Sequence, residues 1–124
     1  MEKPKVITEK EGDITIVQIL NKHLREADTI EALGLFFIDV LKKGAKKVVV
    51  EMSAVEHLTS AMIGKLVAFK KEADRQKAEL RICGLRTEIE NLFHITKLHQ
   101  IFDFKSDRAK AIKSLKSSPF KFGK

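Results

Sequence analysis

The chain has 124 residues, 44% of them hydrophobic and 33% charged, with a formal net charge of +7. That supports one packed domain and excludes a disordered chain, and no apolar run approaches the ~20 residues that cross a bilayer. Met1-Glu2-Lys3-Pro4 opens no secretory signal and Cys83 is the lone cysteine, so a cytoplasmic protein without an internal disulfide is expected.

In chain order, Val6–Ile7 and Ile14–Leu20 read as strands joined by a turn at Glu11-Gly12-Asp13. The alternation of Ile14, Val17 and Ile19 is imperfect, which suggests one partly buried face. Residues 21–28 read as a polar loop with room for a helical turn. Asp28 or Thr29 can cap the next helix, which runs to about Lys43 with Ile30, Leu33, Phe37, Val40 and Leu41 inward and Gly44 at its end.

Val48-Val49-Val50 is a continuous β-branched run bounded by Lys and Glu, the pattern of a strand buried on both faces. A short polar turn follows. From Met62 the period becomes helical, with Met62, Ile63, Leu66, Val67, Phe69 and Ala73 on one stripe closing near Gln76. Thr59 and Ser60 therefore stand where this helix begins. Free backbone N–H groups and the helix dipole favour negative charge there, and a plain N-cap role for the Ser60 hydroxyl is the simplest reading.

Leu80, Ile82 and Cys83 predict a further strand ended by Gly84. Thr87 then caps a short helix with Ile89, Leu92, Phe93 and Ile95 inward. Residues 101–104 read as a fifth strand, and Ser106 or Asp107 caps a last helix carrying Ala109, Ile112 and Leu115, stopped at Ser117-Ser118-Pro119. Strands alternating with helices imply one α/β domain, with a mixed, mostly parallel sheet of about five strands and about four helices. The domain is expected over residues 5–115, with a basic flexible tail at 116–124.

Residues 105–124 hold seven basic groups and one acid, Asp107, so this end carries +6 and the rest of the chain +1. A basic segment can meet phosphate backbones or anionic lipid, but more often it is a solvated terminal helix. With phenylalanines only at 120 and 122, and no Tyr or Trp, it offers little for base stacking, so neither nucleic acid nor membrane is the expected partner.

Catalysis finds weak support. Leu58 and Met62 stand where a hydrolase elbow around Ser60 would need glycines. His57 reads as a polar loop residue. His94 and His99, five apart, would face different sides of one helix, so neither a metal site nor a cofactor is expected. Cys83 reads as a small buried residue, and small-ligand binding is left open.

Order and motif together resemble the STAS domain, the fold of bacterial anti-sigma-factor antagonists. The core of the resemblance is Val48-Val49-Val50-Glu51-Met52-Ser53-Ala54-Val55-Glu56-His57-Leu58-Thr59-Ser60-Ala61-Met62-Ile63-Gly64. It is supported by residues 80–85, residues 89–98 and the closing Ile101-Phe102-Asp103-Phe104. The resemblance implies that Ser60 matches a phosphoacceptor serine, Glu51 the acid closing the strand, and Gly64 the second glycine of the motif. It implies as partners an anti-sigma factor with serine-kinase activity and a phosphatase. Two positions depart from the family pattern: Thr59 replaces an aspartate, so Thr59 is itself a candidate acceptor, and Met62 replaces a glycine, as in stressosome scaffold members. The expected docking face is Glu56, His57, Thr59, Ser60 and Met62, with Lys65 at its edge. Phosphorylation switch, constitutive scaffold and self-association all stay open at this point.

Overall fold

The computed structural model describes residues 3–116. Two strands, β1 (Val6–Glu11) and β2 (Ile14–Ile19), form an antiparallel hairpin in the register Val6↔Ile19 to Glu11↔Ile14. The first strand is longer than its two apolar residues suggested. Thr8 to Glu11 are exposed, so backbone pairing at the sheet edge holds them and no hydrophobic alternation marks them.

A short strand β3 (His23–Leu24) follows, then helix α1 (Ala27–Lys42), β4 (Lys47–Glu51), the two-residue β5 (His57–Leu58) and helix α2 (Ser60–Arg75). The chain continues through β6 (Glu79–Cys83), α3 (Thr87–Ile95), a 3-10 turn at Leu98–Gln100, β7 (Phe104–Lys105) and α4 (Arg108–Lys116). The main sheet has the order β1-β2-β4-β6-β7, parallel apart from the hairpin, and β3 pairs with β5 in a separate parallel ladder. The expected mixed sheet of five strands with four helices is therefore present, with a two-stranded ladder beside it.

Both faces of the sheet are covered, which explains the imperfect alternation of β2. Val17, Ile19, Val48, Val50, Leu80 and Ile82 point to one side and pack with α1, α2 and α3, including the stacked rings of Phe37 and Phe69. Ile14, Ile16, Val49 and Cys83 point to the other and are closed over by Ala111, Ile112 and Leu115 of α4. A strand buried on both faces reads as a continuous apolar run, as Val48 to Val50 do.

Several local expectations are corrected. The polar loop at 21–28 contains β3, whose Leu24 is fully buried. Glu26, not Asp28 or Thr29, is the N-cap of α1, and Arg86, not Thr87, that of α3. Ile95 is 78% exposed, because it lies two residues past Phe93 and a helix turns about 200° in that distance. For the same reason Ala111 replaces Ala109 on the inner face of α4. The last sheet strand is Phe104–Lys105; residues 101–102 form a turn that swings Phe102 edge-on against Phe93 at 5.6 Å between centroids. Asp107 does cap α4, its Oδ1 accepting the Lys110 N–H at 2.8 Å. Lys116, expected to begin the tail, is the last residue of α4 and its Nζ reaches Glu11 at 2.7 Å. The expected helix stop at Ser117–Pro119 and the rest of the tail lie outside the described residues.

Candidate functional site

The connection from β4 to α2 is tied down at nearly every step. The Met52 N–H donates to the Cys83 carbonyl at 3.0 Å, and Met52 and Val55 are fully buried beneath the loop. The N–H groups of Glu56 and His57 both donate to the Lys22 carbonyl, at 2.7 and 3.1 Å, and that of Thr59 to the Leu24 carbonyl at 3.1 Å. The β3–β5 ladder thus delivers the chain to the start of α2 in one orientation. Gly84, at φ +75°, lies against the loop's other side; a Cβ there would come within 3.3 Å of the Ser53 backbone nitrogen, so a side chain is disfavoured both by conformation and by space.

Thr59 is the N-cap of α2 and Ser60 its first helical residue. This corrects the N-cap reading of Ser60. The Thr59 carbonyl accepts the Ile63 N–H at 3.1 Å, whereas its hydroxyl makes no cap bond and, among the described residues, Oγ1 is buried without a partner. Ser60 is exposed, and the first turn of α2 contains no acidic residue. The helix itself offers no acceptor for the N–H groups of its first turn, so the position next to the Ser60 hydroxyl favours an anion.

The other expected contact residues separate into two groups. Glu56 and His57 stay at the surface of the loop. Glu56 faces Arg86 at 3.9 Å, and His57 stacks on His23 with ring centroids 4.9 Å apart and Nδ1 atoms 2.8 Å apart. Lys65 lies across Gly34 of α1 and pairs with Glu31 at 2.9 Å; a Cβ at Gly34 would meet the Lys65 Cδ at 2.8 Å, so this glycine makes room for the side chain. Met62 is the correction: it is fully buried in the main core and adds nothing to a docking surface. A side chain at this position on the inner face of α2 fills the core and leaves the outer surface to Ser60 and Ala61.

Glu51, which closes β4, faces the opposite side of the sheet. Its Oε1 accepts from Arg108 Nε at 2.6 Å and its Oε2 from Ser53 Oγ at 2.8 Å, so it braces the loop and the start of α4 at once. His94 and His99 do not face different sides, as their spacing on one helix predicts. The helix ends at Ile95, and Lys97 in the left-handed region turns the chain back, so the two rings stack at 4.2 Å.

A family model for the STAS domain matches residues 25–111, well over half of the chain. The chain belongs to the STAS domain family. Solved STAS-fold structures agree in shape at low identity. An anti-sigma factor antagonist from Mycobacterium paratuberculosis superposes with a TM-score of 0.82 at 17% identity, over 93% of this chain and 96% of that one. An anti-sigma-factor antagonist (STAS) domain protein from Planctomyces limnophilus gives 0.81 at 18%, over 90% and 98%. The Bacillus cell fate determinant SpoIIAA, solved in its phosphorylated form, gives 0.69 at 12%, over 90% and 99%. Comparison with curated protein sequences finds no match. On this STAS domain no helix among the described residues is long and apolar enough to cross a membrane.

Proposed function

We propose that this STAS domain is a non-enzymatic, cytoplasmic regulator that acts by phosphorylation-dependent partner switching, with the exposed Ser60 as acceptor and Thr59, whose buried hydroxyl must first turn outward, as the alternative one. The observation that carries the reading is the placement of an exposed serine at the first position of α2, in a turn without acidic residues, on a loop held by backbone bonds from two strands. The family resemblance supplies the partners: an anti-sigma factor with serine-kinase activity and a phosphatase that resets the switch. Glu56, His57, Thr59, Ser60 and Lys65 frame the docking face. His57 engages His23, not a hydroxyl, which argues for a binding surface over a catalytic pair.

Magnitudes set a condition on this switch. A phosphoryl group adds about −1.5 to −2 charges. Against a carboxylate about 4 Å away, one charge pair costs about 1 kcal/mol in water and about 4 at an effective dielectric near 20. Reversing a preference from 1:99 to 99:1 needs about 5.5 kcal/mol. Ser60 must therefore be covered by the partner. A second reading, a constitutive stressosome-type scaffold using the same face, is favoured by Thr59 standing where the family motif has aspartate.

The experiment is phosphopeptide mapping of the protein from its own cells, growing and stressed, paired with the affinity of Ser60→Asp for the co-isolated partner. Condition-dependent phosphate on Ser60 or Thr59, with at least a tenfold (about 1.4 kcal/mol) loss of affinity in Ser60→Asp, is the expected result. Unmodified protein under both conditions, or equal affinities, overturns the switch in favour of the scaffold.

A further inference from the structure

The β3–β5 ladder does more than position Ser60. Its register sets His23 directly opposite His57, and parallel pairing of the two strands puts their side chains on one face. The rings lie nearly parallel, 13° apart, with Nδ1 atoms separated by 2.8 Å. Glu56, the residue before His57, brings a carboxylate oxygen so that one donor atom from each of the three residues lies within 4.8 Å of the others. His23 and Glu56 are half-buried and His57 is exposed, so the cluster is anchored at its base and open to solvent at its rim.

We propose that His23, Glu56 and His57 form a binding site for a divalent transition-metal ion of the zinc class. Two imidazole nitrogens at 2.8 Å without a metal must share a proton, one ring donating and the other accepting. A cation can take that proton's place. With Zn–N bonds of about 2.0–2.1 Å, a tetrahedral ion holds its two nitrogens about 3.3 Å apart. To bind it, the exposed His57 ring moves about 0.5 Å outward, both rings turn so that their lone pairs converge on the ion, and the Glu56 carboxylate, with its donor atom within 4.8 Å, swings in by side-chain rotation.

The donor set selects the metal. Two imidazoles and a carboxylate suit zinc and its neighbours, whereas calcium and magnesium take oxygen ligands. Arg86, the cation facing Glu56, stands at 3.9 Å, beyond hydrogen-bond distance, and its Nε is committed to the Ser53 carbonyl at 3.1 Å. The Glu56 carboxylate therefore keeps its lone pairs for an incoming ion. The backbone bonds from Glu56 and His57 to the Lys22 carbonyl preorganise both residues beside His23 before any ion arrives. Three protein donors leave a tetrahedral ion one position for water, three residues from Ser60 on the proposed docking face. The inference requires neither modification of Ser60 nor a partner.

The test is titration of the full chain, tag-free and freed of metal, with Zn2+ by calorimetry and with Co2+ by visible absorption. One ion per chain with micromolar or tighter affinity, and the intense bands of tetrahedral Co2+, is the expected result. Loss of even an outer-shell partner of a bound metal costs about 10–100-fold, so His57→Gln, His23→Gln and Glu56→Gln should each weaken binding at least about tenfold. The double variant His94→Gln/His99→Gln, which removes the other stacked pair, should bind as the natural chain does. Nitrogen NMR of the natural protein's histidine rings, independent of whether a variant folds, should show Zn2+ shifting the His23 and His57 Nδ1 resonances. Absence of saturable binding, binding that survives His57→Gln, or shifts at His94 and His99 instead would overturn the site and leave a plain histidine hydrogen bond.

Discussion

Cys83 closes β6 directly across the parallel ladder from Glu51, on the face covered by α4, and is fully buried. Burial, with the Glu51 charge second, pushes its thiol from about 9 up to about 12. The folded chain therefore keeps the thiol neutral where the unfolded chain ionises it. The sign follows: this group's share of stability is whole below pH 9 and is lost as pH rises through the window from 9 to about 12. The native thiol should resist alkylation at pH 8, with labelling appearing only on denaturation, and the melting temperature should fall more steeply above pH 9 in the natural chain than in Cys83→Ala. Rapid labelling of the native protein would contradict the burial argument, since a reactive cysteine needs an exposed, stabilised thiolate.

One element depends on a single guanidinium for its attachment at the start. Arg108, the first residue of α4, donates to Glu51 of β4 at 2.6 Å, to Gln18 of β2 at 3.2 Å and to Glu9 of β1. Arg108→Ala leaves the Glu51 side chain, only 16% exposed, with the Ser53 hydroxyl alone. Removing a charged partner from a largely buried acceptor costs about 1–3 kcal/mol. Urea unfolding should show a loss of that size, and Arg108→Lys should recover only part of it, because an ammonium cannot reach three acceptors with a planar fork. A loss below about 0.5 kcal/mol would class Arg108 with ordinary surface residues. No local pattern announces such a residue: its partners lie 57, 90 and 99 positions away. The same limit hid the His23–His57 pair, 34 residues apart on strands of two residues each. What was legible was whatever repeats along the chain. The inward stripe of α1, Ile30 to Leu41, is legible because its period extends over several turns, and the triple valine of β4 because a strand buried on both faces needs an unbroken apolar run. Met62 fits both the helical stripe and the expected docking face, and the stripe prevails because a side chain on the inner face of α2 fills the core.

At the scale of the molecule, charge and packing both depend on α4. Residues 105–116 carry five basic groups and one acid, and residues 117–124 carry two basic groups, so most of the excess charge at this end belongs to the folded domain. Arg108 and Lys116 spend theirs on Glu9, Glu51 and Glu11, and Lys105 on Asp103 at 3.1 Å. The helix is therefore a structural layer, closing the sheet face made by Ile14, Ile16, Val49 and Cys83. Burying Ile112 and Leu115 contributes about 1.5–3 kcal/mol each, against a total stability of about 5–15 for a domain. A chain ending at Phe104 loses this layer, and a chain ending at Lys116 keeps it. The shorter one should lose its cooperative thermal transition and bind a hydrophobic dye, while the longer one melts as a single unit. If both melted at the same temperature, α4 would be an appendage and the second face of the sheet would need another cover; the twin truncations thus separate a basic tail from a basic wall of the fold.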